Sequence, residues 1–269
     1  MRSRALLHTV LIAASLAMVA PFAWQIITSL KTLSEATAVP PTLLPSGHWS
    51  NYGRVFDLLP FGTQFLNTVI VALARTVGQV FFCSMAAYAF ARLRFPGRRV
   101  LFGLFLGVLM VPPQLFIIPQ YQIMSDLGWL NSLQALIVPG LFSAFGVFLL
   151  RQFFLGLPVE LEEAARIDGA GPLRVYWSIV LPLARPGLVA LAVLVLLWSW
   201  NDLFWPLVVN SDPATMTLAP GLASLQGQFQ TDYPVLMAGS LLASLPVIAV
   251  FAFLQRQFIQ GIAQTGIKG

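Results

Sequence analysis

Six separate runs of apolar residues, each long enough to cross a bilayer, constrain this chain more than any other feature. A helix needs about 20 predominantly apolar residues to traverse hydrocarbon. The runs at roughly 6–30, 64–91, 100–121, 132–153, 186–209 and 236–257 reach that length. Arg2 and Arg4 precede the first run as they would in a signal peptide. That run, from about Leu6 to Leu30, is longer than the apolar core of a signal peptide, so it reads as an uncleaved span. The expectation is an all-α integral membrane protein with about six transmembrane helices. Composition agrees: only 9% of the 269 residues are charged and 58% are hydrophobic, whereas a soluble domain carries about a quarter charged residues.

The distribution of Lys and Arg sets the expected orientation, because basic residues are retained on the cytoplasmic side. With the N-terminus inside, the inner segments hold Arg2, Arg4, Arg92, Arg94, Arg98, Arg99, Arg151, Arg166, Arg174, Arg185, Arg256 and Lys268. The outer segments hold only Lys31 and Arg54, and Arg75 falls within a span. Both termini are therefore expected in the cytoplasm. The net charge of +5 then serves topology and the membrane surface, with no nucleic acid implied.

Residues 1–63 read as a first transmembrane helix with a Pro-rich extracytoplasmic loop that holds a short surface helix near Asn51 and Tyr52; residues 64–269 read as the core transmembrane domain. Pro21, Pro112, Pro113, Pro119, Pro206 and Pro246 interrupt the spans, as packing kinks or as hinges. Gly103 and Gly107 make a single GxxxG match, a weak sign of helix pairing. Cys83 lies in an apolar run and reads as a small buried hydrophobe. With two histidines, His8 and His48, the chain lacks the makings of an ordinary metal site. Neither Lys31 nor Lys268 follows a glycine, so there is no Walker A sequence, and Arg174 stands where the third glycine of a GxGxxG would be.

The segment at about 154–185 is different in kind. Glu160 to Ile167 has helical composition, Gly169 and Gly171 permit a sharp reversal, and Pro172 suits the first position of a second helix. At 100° per residue Glu162, Glu163 and Arg166 share one face, with Leu161, Ala164 and Ala165 roughly opposite. Glu162 and Arg166 form an i,i+4 pair worth about 0.3–0.5 kcal/mol. The small alanines let another surface approach closely. Such a piece reads as a docking knob; an amphipathic helix lying on lipid is the plainer alternative, but three glutamates and the lack of a large apolar face speak against it.

Glu163-Ala164-Ala165, then Asp168-Gly169, then Ile179, Leu181 and Pro182 resemble the EAA loop of ABC importer permeases position by position. The resemblance extends to Leu66-Asn67-Thr68, Ala86 to Arg92, Met110-Val111-Pro112, Ile118-Pro119, Trp200-Asn201-Asp202, Trp205-Pro206-Leu207 and the tail from Gly261 to Gly269. It is similar to the carbohydrate branch, the second permease of maltose-, trehalose- or glycerol-3-phosphate-type importers. Trp177 departs from the family's usual Phe but stays aromatic. The resemblance implies the type I ABC importer permease fold in the inner membrane, and a role as permease rather than enzyme. It also implies a sister permease, a cytoplasmic ATPase dimer that binds ATP and Mg, and an extracytoplasmic binding protein delivering a sugar or sugar-like solute. This chain would itself bind no cofactor. Glu163, Ala164, Ala165, Asp168, Gly169, Ile179, Leu181 and Pro182 would form the ATPase-coupling loop. In relatives of this type the tail can reach the ATPase interface.

An ion-coupled secondary transporter is the rival reading. It usually needs an intramembrane carboxylate, and Asp202 is the one candidate. For the translocation pathway the candidates are Asn67, Arg75, Tyr88, Asn201 and Asp202, each of which can instead bond a neighbouring helix. An arginine at the centre of a span costs about 2.5–3.5 kcal/mol on insertion scales. Arg75 is therefore expected to face the cavity, pair with Asp202, or snorkel.

Overall fold

A computed structural model describes residues 2–227 and 231–266. Among them the chain is almost wholly helical. It opens with α1 (Arg2–Ser29), followed by the short α2 (Leu33–Ala36) and α3 (Ser50–Leu58). The long α4 (Phe61–Arg92) leads to α5 (Arg98–Leu109), α6 (Ile117–Asp126), α7 (Leu133–Ile137) and α8 (Ala144–Leu155). Next come α9 (Glu160–Ile167), α10 (Pro172–Val175), α11 (Leu181–Leu183) and α12 (Arg185–Trp200). The chain ends in α13 (Phe204–Val209), α14 (Leu218–Ala223) and α15 (Tyr233–Gly266).

Four stretches are long and apolar enough to cross a bilayer: Leu6–Ser29, Phe61–Arg92, Leu133–Leu155 and Tyr233–Phe253. The count reaches six when two bent pairs are each taken as one span. The third run, expected to be interrupted at its prolines, turns by 98° between Arg98–Leu109 and Pro113–Asp126. Pro112 and Pro113 explain it: neither has an N–H to give, and each ring clashes with the carbonyl one turn back. The second bend, 77°, separates Pro172–Leu183 from Arg185–Trp200. Pro21 and Pro246, in contrast, sit inside continuous helices.

The expected fifth span, 186–209, is also corrected. α12 stops at Trp200, and the chain passes Asn201 to Leu203 before α13 begins. Pro206 supplies the reason, since the carbonyl its ring would strike in an unbroken helix belongs to Asp202. The break leaves Asp202 free of helical pairing within the membrane domain.

α4 is the axis of the fold, and it packs along α8 and α12. Its N-terminal Phe61 joins a cluster with Val55, Leu218, Leu222, Val235 and Leu236. Val71 joins a second with Met124, Leu136, Trp205 and Val209. Its C-terminal half, from Cys83 to Phe90, joins the largest cluster with Val147, Leu150, Phe154, Tyr176, Val180 and Leu191. The surface helix expected near Asn51 is α3, but Asn51 is buried there and donates to the Ser29 and Lys31 carbonyls. α1 is exposed from Leu6 to Trp24, becomes buried at Thr28 and Ser29, and rests against α15. Exposed Leu, Ile and Phe side chains along α1, α4 and α5 present the apolar surface that hydrocarbon requires.

Candidate functional site

The loop between α8 and α12 is built by local sequence rules. Glu160, Glu162 and Glu163 occupy the first turn of α9, where the helix dipole favours negative charge, and Arg166 lies in the last turn. Beyond the C-cap Asp168, Gly169 adopts φ +83°. Its N–H bonds the Arg166 carbonyl at 3.0 Å, and the Ala170 N–H bonds the Ala165 carbonyl at 2.9 Å. That is the double closure of a Schellman motif, in which glycine relieves the left-handed strain. Ala165 and Ala170, the residues this closure brings together, both pack on the core. Pro172 then opens α10, which continues through a π-helical turn at Tyr176–Val180.

Glu162 points the other way from the sequence expectation. Helical spacing puts it on a common face with Glu163, yet Glu162 is buried while Glu163 is exposed. Its Oε1 lies 2.7 Å from Arg92 Nε at the end of α4, and both side chains are at least nine-tenths covered, 2% and 8% exposed. The expected partner Arg166 is also present, at 3.6 Å from Oε2, but half-exposed. The alanines divide too: Ala165 turns inward and Ala164 outward. Against the expectation that the loop lacks a large apolar face, Leu161, Ala164, Ile167, Leu173 and Trp177 are all exposed, together with the charged Glu163, Asp168 and Arg174. Ile167, 86% exposed, has no apolar neighbour to cover it. Of the other residues in the motif, Ile179 and Leu181 are half-buried and Pro182 is exposed.

The intramembrane candidates fall into three groups. Arg75 and Asp202 meet: Nη1 donates to Oδ2 at 2.8 Å, and Nε donates to the Leu136 carbonyl at 2.7 Å. The pair borders a cavity of about 320 Å³ lined also by Gln114, Gln120, Pro139 and Trp205. Asn67 is buried, and its amide holds the Ala214 and Met216 carbonyls, each at 2.9 Å. Tyr88 is buried and donates to the Pro172 carbonyl at 3.1 Å. Asn201 is exposed and bonds back to Leu197. The structure thus gathers Arg75 and Asp202 at one cavity and engages Asn67 and Tyr88 as ties within the fold. The Arg92–Glu162 pair was missed. The sequence shows Ser84, Tyr88 and Arg92 four residues apart on one face of the mostly apolar C-terminal end of α4, but that spacing names no partner.

Residues 79–264 match the family described as binding-protein-dependent transport system inner membrane component. The chain belongs to that family. The match takes in the C-terminal half of α4, the whole of the α8–α12 loop and most of α15. Among its relatives, the sn-glycerol-3-phosphate transport system permease protein UgpE of Pectobacterium atrosepticum is 36% identical over 267 residues, 96% of this chain and 95% of that protein. The arabinooligosaccharides transport system permease protein AraQ of Halalkalibacterium halodurans is 40% identical over 209 residues, 78% and 75% of the two chains. A chain of a bacterial ABC transporter involved in import of the acidic polysaccharide alginate superposes with a TM-score of 0.82 at 26% identity, over 96% of this chain and 97% of that one. A chain of an alginate ABC transporter in complex with its pentasaccharide-bound periplasmic protein shares the fold, with a TM-score of 0.67 at 12% identity over 95% and 96%. This protein is therefore a membrane-embedded permease of the ABC importer class, and its family role is transport.

Proposed function

We propose that this chain is one of two permeases enclosing the pathway of an ATP-driven importer for a sugar, an oligosaccharide or a sugar-like phosphate. The names of its relatives, which handle glycerol-3-phosphate, arabinooligosaccharides and alginate, support that substrate class. A periplasmic binding protein would deliver the solute. ATP and Mg would be held by a separate ATPase dimer, docked on the α9 loop.

The observation that carries the docking assignment is the exposed apolar face of α9 and α10 on a tightly closed turn. Ile167 and Leu173 are largely exposed, and exposed apolar groups beside charged ones at a loop end suit burial in a protein cleft. In this reading Glu163 makes a charged contact with the ATPase, and the Gly169 turn fixes the angle of presentation. ATP-driven closure of the ATPases would draw the two permeases' loops together and turn the cavity outward. Both termini would lie in the cytoplasm, on the side of this loop.

The ion-coupled alternative rests on Asp202, and that carboxylate is engaged by Arg75 at 2.8 Å. The test is co-purification: this chain expressed with its sister permease and ATPase should bring the ATPase down. Glu163→Ala and Gly169→Val should weaken that association while leaving the protein in the membrane. Retention of the ATPase by both variants, with normal stimulated hydrolysis, would remove the assignment.

A further inference from the structure

The coupling loop is tied to the membrane domain by a row of polar groups on α4. Ser84, Tyr88 and Arg92 recur every fourth residue, and such residues share one face of a helix. Each holds a different part of the loop. Ser84 Oγ is 2.7 Å from the Tyr176 hydroxyl, at the entry to the π-helical turn. Tyr88 donates to the Pro172 carbonyl at 3.1 Å. Arg92 Nη2 donates to the Leu157 carbonyl at 2.8 Å, before α9, while Nε faces Glu162 at 2.7 Å. The approach to α9, its first turn, the start of α10 and the π-helical turn are thereby tied to one helix.

The buried ion pair is the part that is costly to keep without a purpose. Two apolar side chains of similar size would hold a helix as well or better, because burying both charges forfeits their hydration. What this ion pair adds is a definite partner: the Nε–Oε1 contact is charge attraction without hydrogen-bond alignment, and the directed bond is Arg92 Nη2 to the Leu157 carbonyl.

We propose that Arg92 and Glu162 are positioning residues that make the coupling helix and α4 a single moving body. The inference rests on the reading of the loop as the ATPase dock. Displacement of α9 would then pass along α4 without slack to Arg75, 17 positions back along the helix, or about 25 Å at 1.5 Å per residue. Arg75 there meets Asp202 beside the cavity, so the loop and the cavity would share one lever.

The test uses the complete transporter, this chain with its sister permease and ATPase, in lipid nanodiscs. Spin labels go on Val77→Cys, on the exposed side of α4, and on Glu160→Cys, at the exposed start of α9. The native Cys83 is buried and takes no label. Distances are read without nucleotide and after trapping with ATP and vanadate. The α4-to-α9 distance should be narrow and the same in both states.

Because a lone buried charge can unfold the chain, the variant removes both: Arg92→Met with Glu162→Leu. It should assemble and hydrolyse ATP, yet its α4-to-α9 distance should broaden and shift on trapping. A purely structural pair predicts instead that the apolar variant keeps the parent's narrow, unchanging distance, and that result overturns the proposal. A second label pair, from Glu160→Cys to the sister permease's loop, separates the two readings. If the loops fail to approach on trapping, the docking reading fails. If they approach while the parent's α4-to-α9 distance changes, only the rigid connection fails.

Discussion

Replacing Gly169 separates two reasons a glycine can be required. Its φ is +83°, and a Cβ built there meets nothing within 4 Å. Space is therefore not limiting inside this chain, and the cost of a side chain is conformational. A left-handed backbone costs an ordinary L-residue roughly 1–2 kcal/mol, a factor of about 5–30 in the population of the closed turn. Asparagine tolerates this region far better than most residues, and a β-branched residue tolerates it worst. The expected order of ATPase retention is Gly, then Asn, then Ala, then Val. Asparagine and valine are close in size, so they decide the matter. Co-purification of the ATPase with each variant, normalised to membrane-inserted permease, gives the ranking. If Asn and Val fail equally, the partner's surface excludes any side chain and the strain argument is wrong. If Val performs like Gly, the Schellman turn is not what presents α9.

Further outcomes are expected elsewhere. Reporters fused after Gly97 or Gly169 should behave as cytoplasmic and those near Asp126 or Asp212 as exported; an exported signal at Gly169 would end the docking reading. Arg75→Ala and Asp202→Ala should each lower thermal stability and yield, because each leaves a partly buried charge alone. The loss should fall short of the about 3–5 kcal/mol typical of a fully buried pair, and Arg75→Met with Asp202→Leu should recover assembly. If Arg75→Ala assembles normally and loses only uptake, the arginine serves the solute instead. At Gly187, an added Cβ would lie 2.6 Å from the Phe153 ring. Gly187→Ala should therefore push α12 off α8 and cost about 1–3 kcal/mol, read as a lower unfolding temperature in detergent. In the loop after α1, the Thr32 N–H and the Ser46 hydroxyl hold the Glu35 carboxyl below its ordinary 4.5. The folded form thus binds its proton less readily, so this cap is intact above that value and is lost as the pH falls through the lower folded one. Amide exchange at Thr32 should accelerate at acid pH, and Glu35→Gln should abolish the pH dependence.

Much of the architecture was legible because hydrocarbon imposes a length. Runs of apolar residues located α1, α4, α8 and α15, and the pairing of charge with Gly169 and Pro172 located the loop. The breaks were harder. Pro112 and Pro113 announced an interruption, but a 98° turn depends on what the freed backbone packs against. The end of α12 at Trp200 required reading Pro206 back one turn to Asp202, a rule that the apolar run conceals. Helical arithmetic grouped Glu162 with Arg166 correctly and still misjudged the face, because a single helix does not say which side its neighbour lies on. Arg92 had an evident use as a topology charge, and nothing in its local sequence points to a partner on a distant helix. The resemblance implies a tail of the kind that, in relatives of this type, can reach the ATPase interface; residues 267–269 lie outside the described residues.

The central claim, that this chain is the permease of an ATP-driven importer, is tested most directly by uptake into sealed vesicles. The vesicles hold this chain with its sister permease and ATPase, ATP and Mg are supplied on the ATPase side, and the binding protein carries a candidate sugar or sugar phosphate outside. The account predicts accumulation that needs both ATP and the binding protein, and that persists when ion gradients are collapsed. Accumulation driven by a proton or sodium gradient, with no need for ATP or the binding protein, would contradict it.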